Sequence, residues 1–400
     1  MKVAVFHNLP SGGAKRALYG HVKYLTGAGH TVDVFVPSTA REDFLPLKEL
    51  ANTVEVFPVR KTLSGKLYSY ARYIPPEKHA LRDIERAEQE AAERVNSLDH
   101  DIVLSEQSQF TMSPFFLKYL RKKCVYYCQQ PWRMNEAVME EFVRRTGFTP
   151  AKSRLRKRVR AVFFDRMPRV DRENASHARY VLANSYFSRE SILRSYGQNA
   201  HVSYLGVDTS VFRPTGEMKE HMVLSVGMCR PQKGFETVVR SVGMIDARVR
   251  PRLVLVSNTT DPDWKRYLER VILETEVECE ILDNVSNEEL VSLYGRAKVV
   301  AYAPYLEPFG LVPLEAMACG TPVVGVREGG VRESIVDGET GLLAERDDEE
   351  FSRSLSRLLD NDGERESMGR RGITAVNSFW TLAHAGMRLR SHLEKAMNTL

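Results

Sequence analysis

Glu307 and Glu315 stand eight positions apart in Tyr305-Leu306-Glu307-Pro308-Phe309-Gly310-Leu311-Val312-Pro313-Leu314-Glu315. The apolar run Lys298–Tyr302 ahead of them predicts a buried strand, Pro308 and Gly310 mark a turn, and Leu311 to Cys319 predicts a short helix stopped by Gly320. That spacing brings two carboxylates to a helix N-terminus, where unpaired N–H groups suit a phosphate-bearing ligand. Glu315, in the first turn, would complement the helix dipole and accept hydrogen bonds from ligand hydroxyls. Each acid alone also has a plain reading, Glu315 as a capping residue and Glu307 as a solvated loop charge.

A second group follows the predicted strand Met222–Gly227, where Arg230 and Lys233 lie three positions apart at a strand-to-helix turn. Such a pair can grip a diphosphate, although in isolation it is more often a solvated surface charge cluster. A third group is His7-Asn8-Leu9-Pro10-Ser11-Gly12-Gly13-Ala14-Lys15, in which glycine lets backbone approach a ligand closely. It is not the G-x-G-x-x-G fingerprint, which disfavours a nicotinamide or flavin dinucleotide. Ser257 to Thr260 and Asp283-Asn284-Val285 close neighbouring strands and are candidates to approach a base, Ser257 and Val285 foremost. Asp261-Pro262-Asp263 has the D-x-D shape of a Mg²⁺ site but reads as a helix-starting turn, and the ten histidines form no H-x-x-x-H face. No metal and no cofactor is expected.

The elements that must position these groups alternate strand and amphipathic helix, the pattern of parallel sheets built from βαβ units. Strands are predicted at Val3–His7, Thr31–Val36, Val54–Val59, Ile102–Ser105, Cys124–Cys128 and Tyr180–Asn184, with a scaffold helix over His79 to Leu98. A second series comprises Met222–Gly227, Arg252–Ser257, Glu278–Asp283, Lys298–Tyr302, Pro322–Val326 and Gly341–Ala344. Ser286 and Glu289 form a capping box for the helix carrying Leu290, Leu293 and Tyr294. The expected fold is α/β, two tandem doubly wound Rossmann-like domains. The first spans 1–212, the second 213–378, and a last helix over 379–400 crosses back to the first. Ligands of such sheets bind outside the carboxyl ends of the strands.

A chain of 400 residues suits two domains, and 43% hydrophobic with 27% charged residues describes a globular protein. No apolar run reaches the roughly 18 residues of a spanning helix, and the sequence enters a strand directly from Met1, so a cytoplasmic location is expected. The five cysteines are scattered and read as reduced core residues. Net charge is only +5, but residues 118–172 hold sixteen Lys/Arg against five acids, a local +11. Within them Lys152 to Phe164 is amphipathic, with Leu155, Val159, Val162 and Phe163 on one stripe. A solvated helix explains that segment. An anionic partner is the sharper alternative, either a membrane surface, which would place the protein at the inner membrane face, or a phosphorylated acceptor. Nucleic acid is disfavoured because no aromatic stacking motif accompanies the charge.

The run Glu307, Gly310, Glu315-Ala316-Met317-Ala318, Gly320, Pro322-Val323-Val324, Gly329-Gly330, Glu333 and Gly338-Glu339-Thr340-Gly341 resembles the signature of the retaining glycosyltransferases of family 4. Ala183-Asn184-Ser185 and Gly206-Val207-Asp208 with Phe212 and Pro214 are similar to further landmarks of that family. The resemblance covers nearly the whole chain and implies the GT-B fold, with UDP- or GDP-sugar as donor and the domains facing across a cleft. It implies that Arg230 and Lys233 hold the donor phosphates, and that Glu307 and Glu315 frame the sugar nucleotide. Phe309, Gly310, Leu311 and Val312 would line it, with Gly12 and Gly13 near the transferred sugar. One departure stands out. Many relatives carry His where this chain has Gln129, in Tyr127-Cys128-Gln129-Gln130-Pro131. Glutamine can hydrogen-bond a sugar hydroxyl but cannot shuttle a proton. Either Gln129 replaces a positioning group, or the chain is a catalytically impaired nucleotide-sugar-binding subunit; a sugar-nucleotide epimerase of the same fold is a further alternative.

Overall fold

A computed structural model describes residues 1–60, 81–132, 140, 143, 144 and 166–399. Most of the basic belt, including 152–164, lies outside the described residues. The chain divides into two units, one of 1–135, 151–204 and 383–400, the other of 136–150 and 205–382.

The first unit holds a seven-stranded sheet of β1 (Lys2–Asn8), β2 (Thr31–Pro37), β3 (Thr53–Phe57), β4 (Ile102–Ser108), β5 (Cys124–Cys128), β6 (Tyr180–Ala183) and β7 (His201–Val202). Its spatial order is β3-β2-β1-β4-β5-β6-β7, with parallel pairing throughout. β5 is wholly buried, and β1 nearly so, as their continuous apolar runs require of strands covered on both faces. Pro58 stops β3 at Phe57, short of the predicted Val59, because proline has no N–H for the ladder. β7 spans two residues and leaves no alternation in the sequence to detect. The scaffold helix runs Leu81–Asn96 and buries Ile84, Ala87, Ala91 and Val95.

The second unit holds a six-stranded parallel sheet of β8 (Glu220–Val226), β9 (Arg252–Ser257), β10 (Cys279–Asp283), β11 (Ala297–Tyr302), β12 (Val323–Val326) and β13 (Gly341–Ala344). The order is β10-β9-β8-β11-β12-β13. In each sheet the order reverses once, between β1 and β4 and between β8 and β11, and the crevice at the carboxyl end of that point is where such sheets take ligands. Two predicted caps form. Ser286 accepts from Glu289 N at 3.1 Å, and Asp261 accepts from Asp263 N and Trp264 N, which makes the D-x-D run a helix start. All five cysteines are free thiols, four of them buried. No described helix is long and apolar enough to cross a membrane.

Candidate functional site

β8 and β11 are neighbours at the reversal point of the second sheet, so the loops that follow them meet there. After β8 the chain passes exposed Arg230, makes a single helical turn over Pro231–Lys233 and leaves it at Gly234 with φ +66°. A Cβ at Gly234 would lie 1.8 Å from the Ala303 carbonyl oxygen, so this close approach of the two loops demands glycine. Tyr305 N donates to Gln232 O at 2.9 Å and pins the loops together. The consequence is a direct ion pair: Lys233 Nζ donates to Glu307 Oε2 at 2.7 Å, with the side chains only 18% and 16% exposed.

Glu307 is held from behind. Gly330 N donates to its carbonyl oxygen at 2.7 Å. A Cβ on Gly329 would stand 2.4 Å from that same oxygen, and one on Gly330 would stand 2.2 Å from Pro308 O. The Gly-Gly pair therefore acts as a backbone buttress that no side chain fits. Beneath the loop, half-buried Arg346 donates to Ala303 O at 2.8 Å and Pro304 O at 2.5 Å, and pairs with Glu328 at 2.7 and 2.8 Å. Its guanidinium lies 3.9 Å from the Tyr305 ring centroid.

Glu315 sits in the first turn of the helix Val312–Ala318, buried, and accepts from Tyr294 Oη at 2.9 Å. Burial raises the Tyr302 phenol well above its ordinary range, with the charges of Glu307 and Glu315 adding to it; both acids thus act on one side chain at the end of β11. Phe309 is buried with its ring 5.7 Å from that of Trp380, and Gly310, at φ +88°, makes the bend into the helix. Leu311 and Val312 remain half-buried at the helix start. The Ser257 hydroxyl, at the end of β9, is occupied internally: it accepts from Cys229 N at 2.8 Å and donates to Thr259 O at 2.9 Å, bracing the turn that leads to Arg230. Val285 is half-buried just after Asn284, whose N–H donates to Ser257 O at 2.7 Å.

In the first unit, Gly12 has φ +143° and caps the helix Gly13–Gly27, which receives no side-chain cap. Its first-turn N–H groups have no partner within the helix. Next to them a buried cluster forms: Lys15 contacts Glu42 and stands 3.3 Å from His7 Nε2, which itself lies 2.9 Å from Glu42 Oε1. Burial lowers His7 to about 4. Burial opposes ionisation of Glu42 as well, yet hydrogen bonding and charge from His7 and Lys15 hold it at about 2. Gln129 follows β5, is buried, and is engaged at both ends of its amide. It donates to both Glu106 oxygens at 3.3 Å and accepts from Asn184 Nδ2 at 2.9 Å. Burial pushes Glu106 up to about 8, against hydrogen bonds from Gln129 and Gln107.

Residues 11–211 match the family model described as Glycosyltransferase Family 4, and residues 208–375 match that of Glycosyl transferases group 1. The chain belongs to glycosyltransferase family 4. It is similar to the D-inositol 3-phosphate glycosyltransferase of Paenarthrobacter aurescens, at 30% identity over 55% of this chain and 58% of that relative. It is also similar to that of Corynebacterium diphtheriae, at 38% identity over 40% and 39%. The chain thus spans well under two thirds of the length of these relatives. Among solved structures, sucrose-phosphate synthase from Thermosynechococcus elongatus has a TM-score of 0.77 at 20% identity, covering all of both chains. Anabaena HepE, solved in complex with UDP and glucose, has 0.73 at 18%, covering 99% of this chain and all of that one. The fold is GT-B.

Within the family 4 signature, the structure joins Lys233 to Glu307 and gives Glu315 the Tyr294 hydroxyl as its donor. Gly12, Gly13 and Gln129 belong to the first unit and the remaining candidates to the second. Sequence reasoning did not single out Arg346, Glu106 or Glu42, and although His7, Lys15 and Tyr294 lie in segments it marked, their side-chain pairings were not legible there. Arg346 follows the end of β13 by two residues, a position from which a cation reaches the neighbouring loop, and that register was the one available signal.

Proposed function

We propose that this protein is a retaining glycosyltransferase that moves a sugar from a nucleoside diphosphate donor, held by the second unit, to an acceptor held mainly by the first. The observation that carries the reading is the Lys233–Glu307 pair at the reversal point of the second sheet, three residues from exposed Arg230. A cation held against a carboxylate, with a second cation three residues away, suits a pyrophosphate attached to a polyhydroxylated ring. As the C1–O bond to the diphosphate breaks, negative charge grows on that leaving group, and Arg230 and Lys233 stabilise it. A charge-assisted hydrogen bond contributes about 1.5–3 kcal/mol, against about 0.3–1 for a helix terminus. The helix Val312–Ala318 has seven residues, so the side chains outweigh its dipole. Glu307 and Glu315 accept from sugar hydroxyls. Phe309, Gly310, Leu311 and Val312 shape the floor, and Ser257 and Val285 border the base.

In this reading the acceptor hydroxyl forms the new C1–O bond on the face that the diphosphate leaves, and its proton passes to a departing phosphate oxygen. No protein base and no metal ion is then required, which accommodates Gln129 in place of a histidine. Relatives named for transfer to inositol 3-phosphate, and a structural neighbour solved with UDP, support a UDP-sugar donor and a phosphorylated acceptor ahead of a GDP-sugar, or of a lipid-linked or saccharide acceptor. The same acceptor chemistry supports an anionic partner for the first unit.

Thermal-shift screening with UDP, GDP and ADP tests the donor site, since a ligand at about 100 times its Kd stabilises by about 2.7 kcal/mol. Stabilisation by UDP is the expected outcome. Turnover across a panel of nucleotide sugars, with and without a chelator, tests the chemistry. The engagement of the Gln129 amide by Glu106 and Asn184 favours one second reading, a nucleotide-sugar-binding subunit; tight donor binding with no transfer or hydrolysis would establish it.

A further inference from the structure

The amino ends of β5 and β6 carry a feature unrelated to the donor site. Arg121, Lys122 and Lys123 lead into β5, and His177 and Arg179 lead into β6; together they line a cavity of about 430 Å³, and none of its described lining residues is acidic. Arg121, Lys122 and Arg179 form no ion pair among the described residues, and Arg121 and Arg179 are exposed. Lys123 is oriented, its Nζ donating to Met397 O at 2.5 Å in the last turn of the helix Leu382–Thr399. β5 is five residues long, so this cavity lies about 16 Å from the strand's carboxyl end, where Gln129 follows.

Like charges gathered in one concavity repel unless an anion is shared among them, and guanidinium groups with ammonium groups match phosphate oxygens in both charge and donor geometry. The two segments come from consecutive strands of the sheet, so their spacing is fixed by the β5–β6 pairing rather than by flexible loops. We propose that this cavity is an anion site for clustered phosphate groups, separate from the nucleotide-sugar site and independent of the activity proposed for it. The chemistry is that of a soluble polyphosphate or of anionic lipid headgroups, both of which present several phosphate oxygens within one such opening.

The test uses the full chain and two probes, sodium tripolyphosphate by calorimetry and sedimentation with phosphatidylcholine vesicles with or without phosphatidylglycerol. It is run at about 20 mM salt, where screening is weak. The variant Arg121→Gln/Lys122→Gln/Arg179→Gln leaves Lys123 and its tie to Met397 intact. Its binding to whichever probe the wild type takes should weaken by about tenfold or more. Removing the same charge from the second unit, by Arg248→Gln/Arg266→Gln/Arg370→Gln, should change it by less than about twofold, since those charges act only at long range. Tripolyphosphate binding without vesicle association identifies a soluble ligand, whereas association that needs phosphatidylglycerol identifies headgroups. Equal losses in the two variants, no loss in the first, or no binding of either probe by the wild type would overturn the proposal. Unchanged donor turnover and melting temperature in the first variant exclude misfolding as the cause.

Discussion

Lys233 and Glu307, 74 positions apart in the chain, meet at 2.7 Å where the second sheet reverses its strand order. The pair is partly shielded from water, and the cation's other two N–H groups remain for an anion. A diphosphate arriving beside Lys233 would compete with the carboxylate for it. Lys233→Ala and Glu307→Gln should each lower transfer by about 100-fold or more, the scale of losing one preorganised transition-state contact. Melting should fall only by the equivalent of about 1–3 kcal/mol, because the surviving partner of this largely shielded pair loses one hydrogen bond. Steady-state turnover and denaturant titration check both halves. A variant that loses stability but keeps turnover would contradict the assigned role.

Gly330→Ala should be far more damaging than a substitution at a roomier glycine. Its new Cβ would meet the Pro308 carbonyl oxygen at 2.2 Å, so the Glu307 loop must shift, at a cost of about 2 kcal/mol or more, with loss of transfer. Gly338→Ala, at φ +75° with nothing within 4 Å, should cost only about 1 kcal/mol of backbone strain and leave transfer intact. Comparing unfolding midpoints and turnover of the two variants isolates the buttress.

Arg346→Lys keeps the charge but cannot reproduce the fork that reaches Ala303 O, Pro304 O and both Glu328 oxygens at once. The expected cost is about 1.5–3 kcal/mol, the scale of losing a hydrogen bond to a charged group, with turnover falling as the loop under Tyr305 loosens. Unfolding by urea, read alongside kcat, tests it.

Stability should peak in mildly acidic solution. Burial raises Glu106 to about 8 and Glu88 to about 7, above an unfolded value near ~4.3. Between those values the folded chain holds protons that the unfolded chain has released, so stability falls as pH rises through 7 and 8. Burial lowers His7 and His21 to about 4, which offsets the two glutamates between about 4.3 and 6.5. Glu42, held at about 2 against burial by hydrogen bonds and charge from His7 and Lys15, makes stability fall on acidification below about 4.3. Glu106→Gln should flatten the fall above about 6.5 in the melting-temperature profile and leave the fall below about 4.3 unchanged.

The parallel α/β character and twelve of the thirteen strand positions follow from apolar runs bounded by turn residues, because a strand covered on both faces can contain little else. β7 pairs along two residues, too short for any pattern, and β3 ends where Pro58 removes a donor. The Arg230, Lys233, Glu307 and Glu315 set was legible because each residue lies within a few positions of a strand's carboxyl end or a helix start, where local punctuation fixes its place.

What local sequence leaves open is which side chains satisfy one another. Glu307 reads alone as a solvated acid, and only the β8–β11 pairing brings Lys233 against it. Gln129 reads as an amide able to hydrogen-bond a sugar hydroxyl, and only the packing of β4, β5 and the turn after β6 places Glu106 and Asn184 at its two ends. Chain chemistry thus determined the sheets, their caps and the types of group available at their edges. Tertiary structure decided the pairings, because burial makes an unpaired charge or amide costly and the partner that relieves it comes from a strand distant in sequence.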